Sequence, residues 1–265
     1  MGDAPIRTGI VFQASSLISL GDSKMNRDQY TTLTFDCYGT LIDWESGIWD
    51  GFQPLLRANK SSITRHDCLE DFAKCESAIQ AETPALLYPQ VLREAHRRFA
   101  ALRGLKTNDA LDDAFGDFVP YWPAFEDSAD ALRQLKAHFN LVILSNVDRQ
   151  SFAASNNRLG VDFDAIYTAQ DVGSYKPNPH NFEFMLKGLA GDHNIEQHQI
   201  LHVAQSLFHD IQPAQHFDLP TIWIDRQNLE GGGSWGATAR IEGNPVPDRR
   251  FTSMQAFADW ICADK

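Results

Sequence analysis

Two acidic residues and one lysine are the side chains of this sequence that are best placed to do chemistry together. Asp36, Lys176 and Asp210 each stand in a short polar segment that follows an apolar stretch. A carboxylate at the end of a strand can act as a nucleophile when it is held ionised and aimed at its target. A lysine ammonium beside that carboxylate would lower its pKa. These residue types predict a carboxylate nucleophile at Asp36, with Lys176 as its counter-charge and Asp210 as a further catalytic residue.

Small polar residues accompany these charges and could bind a substrate. Gly39 permits an unusual turn after Asp36, so that backbone N–H groups can face an anion. Thr40, Ser145 and Asn146 add hydroxyl and amide donors for a substrate carboxylate or for the attacked acid. We predict a catalytic role for Thr40. The predicted substrate-binding residues are Tyr38, Ser145, Asn146 and Ser206.

Short apolar segments alternate with helical patterns over most of the chain. The predicted strands are 31–35, 140–144, 164–168, 200–203 and 221–224. The predicted helices between them are 125–137, a segment ending near 157, and 181–189. Such alternation indicates a parallel sheet with helices on both faces, whose ligands bind at the carboxyl ends of the strands. We predict an α/β fold with a Rossmann-like, doubly wound parallel sheet as its core.

A second region interrupts this alternation directly after the first strand. From about residue 44 to 105 apolar residues recur at three- and four-residue spacings, which predicts helices and no strand. We interpret the block as an inserted helical cap domain over the carboxyl edge of the sheet. The predicted division is an N-terminal extension (1–29), a core (30–46 and 120–265) and a helical cap (47–119).

Composition limits the classes of function. The 265 residues are 43% hydrophobic and 22% charged, as in ordinary globular proteins. With 23 basic and 35 acidic residues the formal charge is −12, which argues against nucleic acid and anionic membranes as partners. No apolar run approaches the roughly 18 residues of a spanning helix. Four scattered cysteines match no zinc spacing, so we expect a reducing, cytoplasmic setting.

Four polar segments follow predicted strands, at residues 36–41, 145–146, 173–177 and 204–210. In this order they resemble the motifs of the haloacid dehalogenase superfamily. The resemblance runs from about residue 32 to 225 and beyond, and each motif follows its own predicted strand. In that superfamily the first Asp is a nucleophile that forms a covalent intermediate, and the resemblance gives this role to Asp36. Dimers are common in the look-alike family, so a homodimer is expected.

Tyr38 decides between the branches of the superfamily. Its phosphatases carry an Asp there as a general acid, and another Asp at the position of Gln205 as a magnesium ligand. A departing halide needs no proton, whereas an alkoxide does. The sequence therefore resembles the type II 2-haloacid dehalogenases. This implies a hydrolase that releases halide from small 2-halocarboxylic acids through an ester on Asp36, with no metal and no cofactor.

Some positions depart from the dehalogenase pattern. Those enzymes grip the halide and the carboxylate with an arginine of the cap, for which no residue aligns; the candidates are Arg57, Arg65, Arg93 and Lys74. Phe182 stands where they have a Tyr, and Gln205 and Ser206 replace a Ser and an Asn. His209 is a further candidate for positioning the hydrolytic water. Two alternatives stay open: a small-molecule phosphatase that uses magnesium, and a non-catalytic binding protein on this fold.

Overall fold

A six-stranded parallel sheet forms the centre of the protein. The computed structural model describes residues 25–233, 245–263 and 265. Its strands are β1 (Thr32–Phe35), β2 (Asn140–Ser145), β3 (Ala165–Thr168), β4 (Ile200–Ala204), β5 (Thr221–Ile224) and β6 (Arg249–Phe251). Their order is β3-β2-β1-β4-β5-β6, and every pairing is parallel. This confirms the predicted doubly wound sheet.

Helices connect the strands and cover the sheet. They are α1 (Trp44–Ala58), α2 (Arg65–Glu82), α3 (Tyr88–Leu102), α4 (Asp109–Gly116), α5 (Ser128–Lys136), α6 (Arg149–Leu159), α7 (Ala169–Val172), α8 (His180–His193), α9 (Gln212–His216) and α10 (Met254–Cys262). Short 3-10 turns lie at Arg27–Gln29, Val119–Tyr121, Gln197–Gln199 and Leu229–Gly231, and a π-helical turn spans Leu207–Ile211. Within the described residues, no helix is both long enough and apolar enough to cross a bilayer.

Successive residues of β2 belong to two different hydrophobic clusters. Leu141 and Ile143 pack in the cluster that includes residues of α5 and α10, whereas Val142 and Leu144 pack in the cluster that includes residues of α8 and α9. Side chains of a strand point alternately to the two faces of its sheet. Strand β2 is therefore buried on both faces, and its polar residues, Asn140 and Ser145, lie at its two ends.

The segment between β1 and α5 contains the helices α1 to α4, called the cap below. Their apolar side chains meet around Phe52, whose ring contacts those of Phe72, Phe99 and Phe115 at centroid distances of 6.0, 4.4 and 4.4 Å. This confirms the predicted helical insertion.

The chain leaves the core and returns to it side by side. Asp43 donates its N–H to the Pro123 carbonyl at 2.8 Å, and Phe125 donates to the Leu41 carbonyl at 3.0 Å. The predicted boundary at residues 46 and 47 falls inside α1, which begins at Trp44. Of the predicted N-terminal extension, residues 1–24 lie outside the described residues.

Candidate active site

Asp36 lies at the carboxyl end of β1, between the ends of β2 and β4. This is where the strand order reverses, and where open α/β sheets bind their ligands. The Asp36 N–H donates to the Val203 carbonyl of β4 at 3.2 Å, and the Thr40 hydroxyl donates to Asp36 Oδ2 at 2.7 Å. The turn between them needs Gly39, whose φ is +98° and whose added Cβ would lie 2.9 Å from Gln205 Oε1. The turn thus holds the carboxylate in one orientation.

Lys176 joins the two carboxylates. Its buried Nζ donates to Asp36 Oδ1 at 3.0 Å, to Asp210 Oδ1 at 2.6 Å and to the Leu144 carbonyl at 2.8 Å. An ammonium has three donors, so all of them are used. Asn146 fixes the backbone of this residue: its Oδ1 accepts from the Lys176 N–H at 2.7 Å and its Nδ2 donates to the Lys176 carbonyl at 2.9 Å.

A buried histidine completes the group around Asp210. His202, inside β4, has Nε2 3.3 Å from Asp210 Oδ1, and its Nδ1 lies 2.9 Å from Thr34 Oγ1. Since an ionised carboxylate only accepts, Nε2 is the donor in its contact with Asp210. Within the described part of the chain, Asp210 Oδ2 has no hydrogen-bond partner. That oxygen is a buried acceptor whose hydrogen-bonding capacity is unused.

The two carboxylates that share the ammonium have pKa values shifted in opposite directions. Burial raises the pKa of Asp36, and the charge of Lys176 offsets only part of that rise. Burial also works to raise the pKa of Asp210, but Lys176 and His202 outweigh it and the pKa falls below its usual range. Burial disfavours the ammonium, yet Asp210 and Asp36 together raise the pKa of Lys176. Of the two carboxylates, Asp36 is thus the one that takes up a proton more readily.

A small cavity lies over this group and separates the core from the cap. The volume of this cavity is about 70 Å³. The core contributes a floor, defined as Asp36, Tyr38, Asn146, Val147, Lys176, Gln205, Ser206, His209 and Asp210. The cap contributes a wall, defined as Trp44, Ala73, Glu76, Ser77, Gln80 and Tyr88. The volume suits a substrate of a few heavy atoms.

Known proteins resemble this chain over most of its length. The family model described as haloacid dehalogenase-like hydrolase matches residues 30–218. The chain belongs to that family. A curated relative, the (S)-2-haloacid dehalogenase of Pseudomonas putida, is 31% identical over 243 residues, covering 86% of this chain and 95% of the relative.

Two solved structures have the same fold as this hydrolase. One is an L-2-haloacid dehalogenase with a TM-score of 0.71 and 21% identity, covering 89% of this chain and all of the other. The second is the L-2-haloacid dehalogenase of Xanthobacter autotrophicus with chloropropionic acid covalently bound; its TM-score is 0.69 and its identity 17%, with coverage of 89% and 100%. Both support the fold assigned to this haloacid dehalogenase-like hydrolase.

The structure brings six of the predicted site residues of this hydrolase to the cavity. They are Asp36, Tyr38, Asn146, Lys176, Ser206 and Asp210. The Tyr38 hydroxyl is turned away from the floor: it lies 2.8 Å from Ser155 Oγ and donates to the Ser151 carbonyl at 3.3 Å. Its ring, not its hydroxyl, is what a substrate would meet.

Two predicted residues lie behind the floor of the cavity. The Thr40 hydroxyl contacts Asp36 and accepts from the Gln205 N–H at 2.9 Å. Ser145 is buried, and its hydroxyl has no partner among the described residues. Thr40 thus contacts the carboxylate from behind, and the Ser145 hydroxyl is buried at the end of β2 without lining the cavity.

None of the basic residues considered for the cap role lines the cavity. Lys74 is exposed and pairs with Glu70 and Asp71 at 3.4 and 3.3 Å. Arg93 is occupied by two carboxylates of the α4 region, and Arg65 donates to Ser46. Arg57 is likewise outside the cavity.

Glu76 of α2 lines the wall where the resemblance leads one to expect a cation. Its Oε1 accepts from the Tyr88 hydroxyl at 2.7 Å. Burial raises the pKa of Glu76 to about 7, although the Tyr88 hydrogen bond works in the opposite direction. Sequence reasoning missed this residue. It also missed His202, for which a polar residue inside an apolar strand was the available signal.

His209 lies beside Asp210 on the floor and is neutral. Burial lowers the pKa of His209 to about 4. Ser206 begins the π-helical turn, with its Oγ accepting from the His209 N–H at 3.0 Å and lying 3.1 Å from His209 Nδ1. Phe182, which stands at the position of the expected Tyr, is buried against His202 with ring centroids 5.1 Å apart.

The donor set does not fit magnesium, the ion that the phosphatases of the superfamily use. Asp36 and Asp210 already share the Lys176 ammonium. Where the phosphatases have a magnesium-binding Asp, this chain has Gln205, whose amide donates to Gln227 Oε1 at 2.9 Å. Mg²⁺ prefers oxygen ligands in an octahedral arrangement. Among the described residues, no three His, Cys, Asp or Glu side chains form a metal-binding group.

Proposed function

We propose that this protein hydrolyses the carbon–halogen bond of small 2-halocarboxylic acids through an ester on Asp36. The observation that carries the proposal is the Asp36 carboxylate on Lys176, with a tyrosine in place of a general acid two residues later. The Tyr38 hydroxyl is committed to α6. A leaving group that departs as a stable anion suits such a floor, whereas an alkoxide does not.

In the first step an oxygen of Asp36 attacks carbon 2 of the substrate. The C–O bond of the ester forms as the C–X bond breaks, and the halide leaves with the bonding electron pair. Attack from behind the halide inverts the configuration at carbon 2. Thr40 and Lys176 orient the attacking carboxylate through contacts of 2.7 and 3.0 Å. The substrate carboxylate is assigned to backbone N–H groups at the strand ends.

In the second step water hydrolyses the ester. The water oxygen adds to Cγ of Asp36 and one water proton passes to a base. The bond from Cγ to the ester oxygen then breaks, and the base returns the proton to that oxygen, so that a 2-hydroxy acid leaves and the Asp36 carboxylate is restored. Asp210 Oδ2 is assigned as that base because it is the unpartnered acceptor next to the shared ammonium. Its pKa below the usual range keeps it ionised at neutral pH.

The curated relatives support this reaction. Proteins named (S)-2-haloacid dehalogenase are 31% identical over 86% of this chain. A solved structure of the same fold holds chloropropionic acid covalently.

Halide release is the direct test. We expect chloride from 2-chloropropionate and chloroacetate in the presence of a chelator, and loss of more than about 10³-fold in Asp36→Asn, because an amide is not a competent nucleophile. Asp117→Asn, which changes an exposed cap carboxylate, should retain the rate. No halide from any 2-haloacid with the folded protein, or phosphate release that needs Mg²⁺, would contradict the proposal.

Isotope labelling tests the two steps separately. In a single turnover in ¹⁸O-water, one ¹⁸O should enter Asp36, because water attacks Cγ rather than the substrate carbon. Asp210→Asn should accumulate the ester, seen by intact mass as a protein heavier by the acyl substituent. Label found only in the product, or an Asp210→Asn variant that turns over normally, would refute the assigned steps.

The setting of the enzyme is part of the same proposal. The four cysteines are unpaired, which supports a reducing, cytoplasmic location. The charge of −12 supports a small-molecule partner rather than nucleic acid. A homodimer, and a division into a core of 30–46 and 120–265 and a cap of 47–119, are proposed from the family resemblance; light scattering and limited proteolysis test them.

A further inference from the structure

If the proposed function holds, on which this inference rests, the wall of the cavity faces the leaving group. Asp36 attacks from the floor, so an in-line displacement sends the halide toward the opposite side, which the cap supplies. Ala73, Glu76, Ser77 and Gln80 of α2 lie at three- and four-residue spacings and so share one helix face. The halide therefore departs toward a face that carries a carboxyl group.

The protonation of Glu76 decides whether that face attracts or repels a halide. None of the lysines and arginines in the described part of the cap lines the cavity, so no cation there compensates a carboxylate. An ionised Glu76 would repel the departing anion, whereas a neutral carboxyl group has an O–H that can donate to it. The Tyr88 hydroxyl donates to Oε1, which leaves Oε2 as the oxygen that carries the proton. Within the described residues, Oε2 has no protein partner.

We propose that protonated Glu76 donates a hydrogen bond from Oε2 to the departing halide, in place of a cation of the cap. As the Asp36 ester forms and the C–X bond breaks, the halide takes the electron pair and accepts the O–H of Glu76. The proton stays on Glu76, so charge and atoms balance without a further reactant. Glu76 is thereby a catalytic residue of this chain.

The groups that surround Glu76 allow it to titrate on its own near neutrality. Burial raises the pKa values of Tyr88 on α3 and of Tyr38 and Tyr175 on the core, so these stay neutral. The thiol of Cys75, next to Glu76 on α2, also has a raised pKa. The remaining charged or titratable groups on this side are the Asp36–Lys176–Asp210 group, His209, Asp148 at the start of α6, and Arg98 of α3, which is paired with Glu82 and Glu94.

The dependence of kcat/KM on pH tests the role of Glu76. For 2-chloropropionate the wild-type value should fall as the pH rises through about 7, where Glu76 loses its proton. Glu76→Gln keeps an N–H donor that cannot ionise, so its profile should stay level over this range. Glu76→Ala should lose at least about tenfold at pH 6, where the wild type has its donor. Glu82→Gln, an exposed residue of the same helix, should keep the wild-type profile.

A falling limb that persists in Glu76→Gln, or full activity of Glu76→Ala at pH 6, overturns the proposal. Bromide binding, followed by isothermal titration calorimetry, gives a readout that needs no turnover. It should be tighter at pH 6 than at pH 8.5 in the wild type and independent of pH in Glu76→Gln; equal binding by the wild type at both pH values overturns the proposal. Absence of halide release from the wild type overturns the proposed function, and the bromide measurement still decides on Glu76.

Discussion

The floor and the wall of the cavity differ in how their carboxyl groups are paired. On the floor, one ammonium bridges two carboxylates and donates to a backbone carbonyl, while His202 supports Asp210 from below. On the wall, one carboxyl group has a tyrosine hydroxyl as its partner and no cation. Buried ions are costly unless they are paired. The floor therefore stays charged, whereas the wall can lose its charge near neutral pH.

This difference follows the position of the two regions in the fold. The floor is made of motif residues at strand ends, which the core holds rigidly. The wall is made of residues of α1, α2 and α3, which lie outside the sheet. Reaction type is assigned to the floor, and the handling of the leaving group to the wall.

Removing the cation of the floor should have the largest effect. Lys176→Met leaves Asp36 and Asp210 buried without their counter-charge, so the free energy of unfolding should fall by about 3–5 kcal/mol. Halide release should become undetectable, since Asp36 then binds a proton more readily. Denaturant unfolding and a halide assay measure both. Lys74→Met, an exposed lysine of the cap, is the control, and equal stability of the two variants would mean that the bridge contributes nothing.

A smaller loss is expected when the carboxylate keeps its charge but loses its orientation. Thr40→Val removes the hydroxyl that donates to Asp36 Oδ2 and accepts from the Gln205 N–H. A hydrogen bond to a charged group contributes about 1.5–3 kcal/mol, so kcat/KM should fall roughly ten- to a hundredfold. Thr40→Ser should restore most of the rate. If valine and threonine enzymes are equally fast, Thr40 has no positioning role.

The smallest effect should come from the wall. Tyr88→Phe removes the hydrogen bond that stabilises ionised Glu76, so the pKa of Glu76 rises further and the falling limb moves to higher pH. The displacement should not exceed about one pH unit, the equivalent of one ordinary hydrogen bond. The pH profile of kcat/KM measures it. A limb that moves to lower pH would show that Tyr88 acts on Glu76 in the opposite sense.

The sheet was predictable because apolar strands and their helices alternate along the chain. The strands β1 to β5 were predicted to within one or two residues at each end, and the missed strand β6 reads Arg249-Arg250-Phe251, two charges in three residues at a sheet edge. The helix α10 was also not predicted. Helix α8 begins directly after Pro179, and Asn178 Oδ1 accepts from the His180 N–H at 3.0 Å.

The sequence by itself determined the fold class, the insertion and the meeting of Asp36, Lys176 and Asp210. The reason is that parallel strands bring their carboxyl ends to one edge, so residues that follow strands converge wherever they lie in the chain. Only the tertiary structure decided that Glu76 faces them, that the Tyr38 hydroxyl turns to α6 and that His202 supports Asp210. Helix α2 has a weakly amphipathic sequence. The face that it shows to the cavity is therefore set by its packing against α1 and α3.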